Sequence, residues 1–120
     1  AWEVDQRLKI GARYNELFAG RVPVVTQRTD RTSVFAQYTV FVENRERVQE
    51  ELKAAGVPTA VHYPIPLNRQ SAYQALSRIS GNVSSSDAMA GRVMSLPMSA
   101  DLSQQEQDQI VKAVVEALGN

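Results

Sequence analysis

Three of the five prolines in this 120-residue chain fall between residues 57 and 70, together with its single histidine. Proline fixes its own φ and steers the residue before it away from the helical region. The run Tyr63-Pro64-Ile65-Pro66 is therefore barred from being helix, and equally from being a central, fully paired strand. A chain built around GVPTAVHYPIPLNRQ (Gly56–Gln70) must pass from a strand-like piece into a rigid, extended one that holds its side chains in a fixed presentation.

A length of 120 residues suits one domain with one core. Hydrophobic residues at 43% and charged residues at 22% are ordinary for a soluble globular domain. Thirteen basic and thirteen acidic side chains cancel, and no basic cluster stands out, which argues against nucleic acid as a partner. The absence of cysteine removes disulfides, thiolate nucleophiles and zinc–thiolate sites, and one histidine is too few for most transition-metal sites, so no metal is expected. No apolar run approaches the ~20 residues that span a bilayer. The first residues lack the charged-then-apolar pattern of a signal peptide, so a cytoplasmic protein with no membrane partner is the expectation.

Hydrophobic spacing predicts a first helix over Ala1–Ala19, with Leu8, Tyr14, Leu17 and Phe18 on one stripe, Val4 and Ile10 nearby, and Gly20 at its C′ position. Ala1-Trp2-Glu3 offers no capping side chain, an expected sign of a chain cut from something longer. Val22–Val25 reads as a short strand, with Pro23 placing it at an edge. Ser33–Val42 reads as the main strand, with Val34, Ala36, Tyr38, Val40 and Val42 on its core face. Asn44 is placed to cap a helix to Ala55 that buries Val48, Leu52 and Ala55, and Gly56 ends it. Thr59–Tyr63 is predicted as a strand and 70–79 as a helix with Ala72, Leu76 and Ile79 apolar. A loop over 80–86 is followed by a serine-capped helix, Asp87–Met94, and an extended Ser95–Met98. Ser103 and Glu106 form a capping box for a last helix that buries Ile110, Val111, Val114, Val115 and Leu118 and stops at Gly119. Helices mixed with a small sheet give an α+β, two-layer sandwich.

His62 is the side chain that titrates near neutrality, and it stands where strand-like chain meets the proline-locked segment, beside Tyr63 and near the amides Asn68 and Gln70. Two readings stand: a histidine satisfied by hydrogen bonds at a strand end, or part of a polar recognition surface. No serine or carboxylate is close in sequence to complete a nucleophile–base–orienter set. The carboxylates fall on helices as solvated faces. Lys9, Lys53 and Lys112 lie among charged neighbours, without the apolar setting that makes a lysine nucleophilic. Met89, Met94 and Met98 read as packing residues. No glycine-rich phosphate loop is present. From its residues alone the chain lacks a catalytic set.

Several ordered segments carry a resemblance. Arg13-Tyr14-Asn15-Glu16-Leu17, Ser33–Val42, the Gly56–Gln70 stretch against a "G(I/V)xTxVHYPxPLHxQ" signature, Ala72-Tyr73, and Arg92–Met98 against an "LSLPM" segment all resemble the C-terminal part of the DegT/DnrJ/EryC1/StrS nucleotide-sugar aminotransferases. The wording AQYTVFV and PIPLNRQ is most similar to members that aminate a UDP-linked 3-keto-N-acetylglucosaminuronic acid on the way to O-antigen (lipopolysaccharide) sugars. Asn68 stands where many members have histidine, Ser71 where they often have proline, and Asn82-Val83-Ser84 replaces Asp-Leu-Pro.

The resemblance implies the small C-terminal domain of a fold-type I, pyridoxal-phosphate aminotransferase (transaminase) that works as a homodimer on a UDP-sugar and glutamate. Residues 1–20 would be the end of the interdomain helix and 21–120 the small domain. The Schiff-base lysine, its acidic partner and the phosphate cup would lie in a large domain outside this chain, which would by itself be inactive and bind no cofactor. It further implies that His62 and Tyr63, with Asn68, are substrate-binding residues, while no catalytic or cofactor-binding residue lies in this chain. A sugar dehydratase of the same family and a free-standing α+β module that binds a ligand or partner are the alternatives.

Overall fold

The computed structural model describes residues 1–119. Helix α1 (Trp2–Phe18) leads into strand β1 (Tyr38–Phe41) and helix α2 (Arg45–Ala54). A 3-10 turn at Leu67–Arg69 precedes the one-turn helix α3 (Ser71–Gln74), helix α4 (Ser84–Ala90), strand β2 (Val93–Leu96) and helix α5 (Gln104–Ala117). Strands β1 and β2 pair antiparallel, Tyr38 opposite Leu96 and Val40 opposite Met94. Isolated bridges extend the pair on both sides, Val24 to Val40 and Ala60 to Ser95. The architecture is the expected α+β: a small sheet with α1, α2 and α5 gathered on one face.

Period-2 alternation puts Tyr38, Val40, Met94 and Leu96 on that face. They pack with Ile10, Tyr14 and Phe18 of α1, Val48 and Leu52 of α2, and Ile110, Val111, Val114 and Ala117 of α5. Tyr14 and Tyr38 stack at 4.5 Å between ring centroids, and both hydroxyls find partners inside: Tyr14 donates to Pro97 O at 3.0 Å and Tyr38 to Asn15 Oδ1 at 2.7 Å. Burial pushes both phenols well above their usual range. Gln107 is buried between helices, where its Nε2 donates to Ile10 O at 2.8 Å. The Ser103–Glu106 capping box is formed as predicted.

The helix ends follow the glycines. Gly20 and Gly56 take φ of +72° and +79°, and after α2 the amides of Gly56 and Val57 close on Lys53 O and Leu52 O, a Schellman motif.

Several predicted elements differ. The Ser33–Val42 strand shrinks to β1 because Phe35, at φ +44°, turns the chain; its ring instead packs at Gly11 of α1 and 6.0 Å from Tyr38. Val34 and Ala36 are consequently exposed. Val22–Val25 reduces to the Val24 bridge, at an edge as Pro23 requires. Thr59–Tyr63 reduces to the Ala60 bridge, since Pro58 and Pro64 remove donors on either side. Asn44 adopts a left-handed conformation, which turns its side chain away from the cap hydrogen bond. The helix over 70–79 stops after Gln74: Ala72, Leu76 and Ile79 are all exposed, and a short helix with nothing to pack on has only its own turns to stabilise it. Asn82, not a serine, opens α4, accepting from Ser84 N at 2.8 Å, and the helix ends before Val93 and Met94 because these pair with β1. Ala55 is exposed at the helix end, and Val115 and Leu118 are half-buried.

Candidate functional site

The segment that carries His62 is positioned from both ends. Upstream, Val57 is buried after the Schellman turn, and Thr59 Oγ1 accepts from Gln49 Nε2 of α2 at 3.0 Å. Ala60 then bonds Ser95 of β2 in both directions, at 3.1 and 2.8 Å. Two residues later His62 lies half-buried, its Nδ1 2.9 Å from Ser95 Oγ. The Tyr63 ring meets it edge-on, with centroids 5.5 Å apart. Downstream, the extended Pro64–Pro66 segment ends in the 3-10 turn, and Asp87 of α4 holds that turn: Asn68 Nδ2 donates to Oδ1 at 3.2 Å and Arg69 to Oδ2 at 2.8 Å. These bonds, Arg69 first and Asn68 second, hold the Asp87 carboxyl below its usual range.

Between this arm and α4 lies an open groove of about 690 Å³. His62, Tyr63 and Asn68, the three residues singled out in the sequence, all border it, as do Gln70, Tyr73, Arg78 and Met89. The lining contains no carboxylate and no lysine. Asp87, the nearby acid, is paired with Arg69, whereas Arg78 makes no hydrogen bond or ion pair among the described residues. The groove thus offers one uncompensated guanidinium, amide and hydroxyl groups, and an apolar floor with two tyrosines, a lining suited to an anionic ligand with a flat or apolar body.

The structure supplies the serine that was lacking near His62 in sequence, but Ser95 is 6% exposed and no carboxylate bonds His62 Nε2. The pair is therefore not an accessible nucleophile with an oriented base. The three lysines are exposed on helices α1, α2 and α5, and none of them borders the groove. No group of three or more metal-ligating side chains comes together, and no helix is long and apolar enough to cross a membrane, among the described residues.

Arg78, Asp87 and Ser95 were not legible as site residues. Only Ser95 left a signal: in Met94-Ser95-Leu96 the alternation puts the hydroxyl on the face opposite two core residues.

The family model described as the DegT/DnrJ/EryC1/StrS aminotransferase family matches residues 1–115. The chain is similar to a protein of Pseudomonas aeruginosa named UDP-2-acetamido-2-deoxy-3-oxo-D-glucuronate aminotransferase, 48% identical over 98 residues, which is 80% of this chain and 26% of that protein. It superposes on a DegT DnrJ EryC1 StrS aminotransferase from Brucella abortus with a TM-score of 0.91 and 34% identity, over 98% of this chain and 32% of that one. It also superposes on Spr1654 from Streptococcus pneumoniae in its PLP form, with a TM-score of 0.82 and 29% identity, over 98% and 31%. The chain spans between a quarter and a third of the length of these relatives.

Proposed function

The chain belongs to the DegT/DnrJ/EryC1/StrS aminotransferase family, and from that premise we propose that it is the small C-terminal domain of a pyridoxal-phosphate sugar-nucleotide aminotransferase. In this reading residues 1–20 end the interdomain helix and 21–120 form the small domain. The full-length enzyme is a cytoplasmic homodimer that moves an amino group from glutamate to a UDP-linked 3-keto-hexuronic acid or a similar keto-sugar, in O-antigen synthesis. When bound, pyridoxal phosphate supplies the electron sink for amino-group transfer, held by a large domain. This chain's own residues bind and orient the sugar nucleotide: His62, Tyr63 and Asn68 form one wall of the cleft, and the arm's exposed apolar side chains face the rest of the enzyme.

The observation that carries the reading is the acid-free groove beside His62, with Arg78 uncompensated, in a chain 48% identical to a protein named for a UDP-uronate substrate. A guanidinium in a groove without carboxylates is matched to a uronate carboxylate or a diphosphate. The test is to express the protein with its large domain, supply pyridoxal phosphate, glutamate and a UDP-3-keto-uronate, and follow the amino sugar by mass spectrometry. Amination by the full-length protein and none by residues 1–120 is the expected result. Turnover by the isolated chain, or a full-length protein that aminates no keto-sugar nucleotide, would sink it; amination of neutral keto-sugars in preference to uronates would assign Arg78 to the diphosphate and not to the carboxylate.

A further inference from the structure

The hydroxyl of Ser95 is buried in the sheet and faces a single polar side-chain partner. The residue is 6% exposed, its backbone N–H and C=O are both engaged by Ala60, and its Oγ lies 2.9 Å from His62 Nδ1. The two-way Ala60 bridge fixes how closely the His62 backbone approaches β2, so this contact is set by the sheet and not by a freely swinging side chain.

A serine hydroxyl carries one proton and needs an acceptor for it. Among the described residues the side-chain acceptor within reach is His62 Nδ1. If Nδ1 carried the ring proton it would donate to Oγ, and the serine O–H would be left buried without an acceptor, the costlier of the two arrangements. The arrangement that satisfies both groups has Ser95 donating to Nδ1, which leaves the ring proton on Nε2. Nε2 has no partner among the described residues, and the ring borders the groove.

We propose that Ser95 is a positioning residue that holds His62 as the Nε2–H tautomer, so that the ring presents a hydrogen-bond donor to a carboxylate, phosphate or hydroxyl oxygen of the ligand in the groove. The ring then acts beside Arg78 as a second, neutral donor toward an oxygen-rich ligand, the same logic by which a buried partner orients a functional histidine elsewhere. The identity of that ligand rests on the proposed function; the tautomer does not.

Because the chain has one histidine, its imidazole gives a single set of signals. Long-range 1H–15N correlation on labelled protein, at a pH where the ring is neutral, reads the tautomer directly. Wild type is expected to show a protonated Nε2 and a bare Nδ1, Ser95→Thr to keep that pattern, and Ser95→Ala to drift to a mixture. A protonated Nδ1 in wild type, which needs no variant to fold, or an Ser95→Ala spectrum identical to wild type, overturns the proposal. In the full-length enzyme, the Kd for UDP-glucuronate is expected to rise about five-fold in Ser95→Ala and in His62→Asn. His62→Gln, whose amide nitrogen takes the place of Nε2, should retain most of the affinity. Equal binding by wild type and Ser95→Ala, with the tautomer shifted, overturns the donor role. Absent binding even to wild type, with the tautomer as expected, counts against the sugar-nucleotide reading and supports the positioning of His62 by Ser95 independently of it.

Discussion

The body of the molecule and the arm over residues 62–83 are both rich in large apolar residues, yet they treat them oppositely. In the body, Tyr14, Phe18, Val40, Leu52, Met94 and Val114 reach 0% exposure. In the arm, Tyr63, Ile65, Leu67, Tyr73, Leu76 and Ile79 are between 48 and 86% exposed, and every residue from 71 to 82 faces solvent. The body has a sheet face for its helices to cover. The arm has only the 3-10 turn, one helical turn and the Asp87 tether, so its apolar groups, Leu76 apart, line a groove instead of closing one. Apolarity alone does not make a core; a second surface at the right distance does. An exposed apolar run of this size is the mark of a surface made for a ligand or for another part of the protein.

Substitutions should separate the two regions sharply. Phe18→Ala is expected to cost about 3–5 kcal/mol, while Leu76→Ala costs under ~0.5 kcal/mol, both read from urea denaturation. Comparable losses would mean that the arm has a core of its own. Within the arm the cost should appear in binding: Arg78→Ala in the full-length enzyme is expected to raise KM for the sugar nucleotide about ten-fold or more, with kcat nearly unchanged, since hydrogen bonds to charged groups are the strong ones. A fall in kcat at constant KM would place Arg78 outside ground-state binding. In the body, a Cβ at Gly11 would lie 2.4 Å from the Phe35 ring. Gly11→Ala should therefore cost about 1–3 kcal/mol by overpacking, and Gly11→Ala combined with Phe35→Ala should cost less than the sum of the two single changes.

The smallest effect concerns the tether. Asp87 has a folded-state pKa below its unfolded one, held there by Arg69 and then Asn68. Its contribution is therefore complete above the ordinary carboxylate pKa of ~3.9 and is lost as pH falls through the lower, folded value. In an acid titration, the Asn68 side-chain amide signals should move only below that ordinary range, and Asp87→Asn should abolish the Arg69 pairing at neutral pH while leaving the melting of the body unchanged. Movement of those signals beginning near neutrality would show that another group holds the arm.

How much was legible depended on the range of the interaction. The capping box at Ser103, the stop at Gly56 and the burial of Val48 and Leu52 are properties of a few adjacent residues, and all are present. The failures came where pairing was needed. Ser33–Val42 has strand composition throughout, but only Tyr38–Phe41 finds a partner in β2, and Phe35 leaves to pack on Gly11. The helix expected over 70–79 had apolar spacing and nothing to lie on. Asn44 and the serines expected to cap a helix from Asp87 are good capping residues, but Asn44 took a left-handed backbone and Ser84, Ser85 and Ser86 are the first turn of α4 itself.

For the site the division is the same. From residue types alone follow the break at Tyr63–Pro66, the placing of a histidine and a tyrosine beside it, and the lack of a nucleophilic lysine, because proline geometry and side-chain chemistry are local. That Ser95 meets His62 across 33 positions of sequence, that Asp87 ties down Asn68 and Arg69, and that Arg78 is left without a counter-charge were decided only by tertiary structure. Those contacts depend on which strand Ala60 pairs with and how α4 is set against the arm, and no pattern in neighbouring residues carries that information.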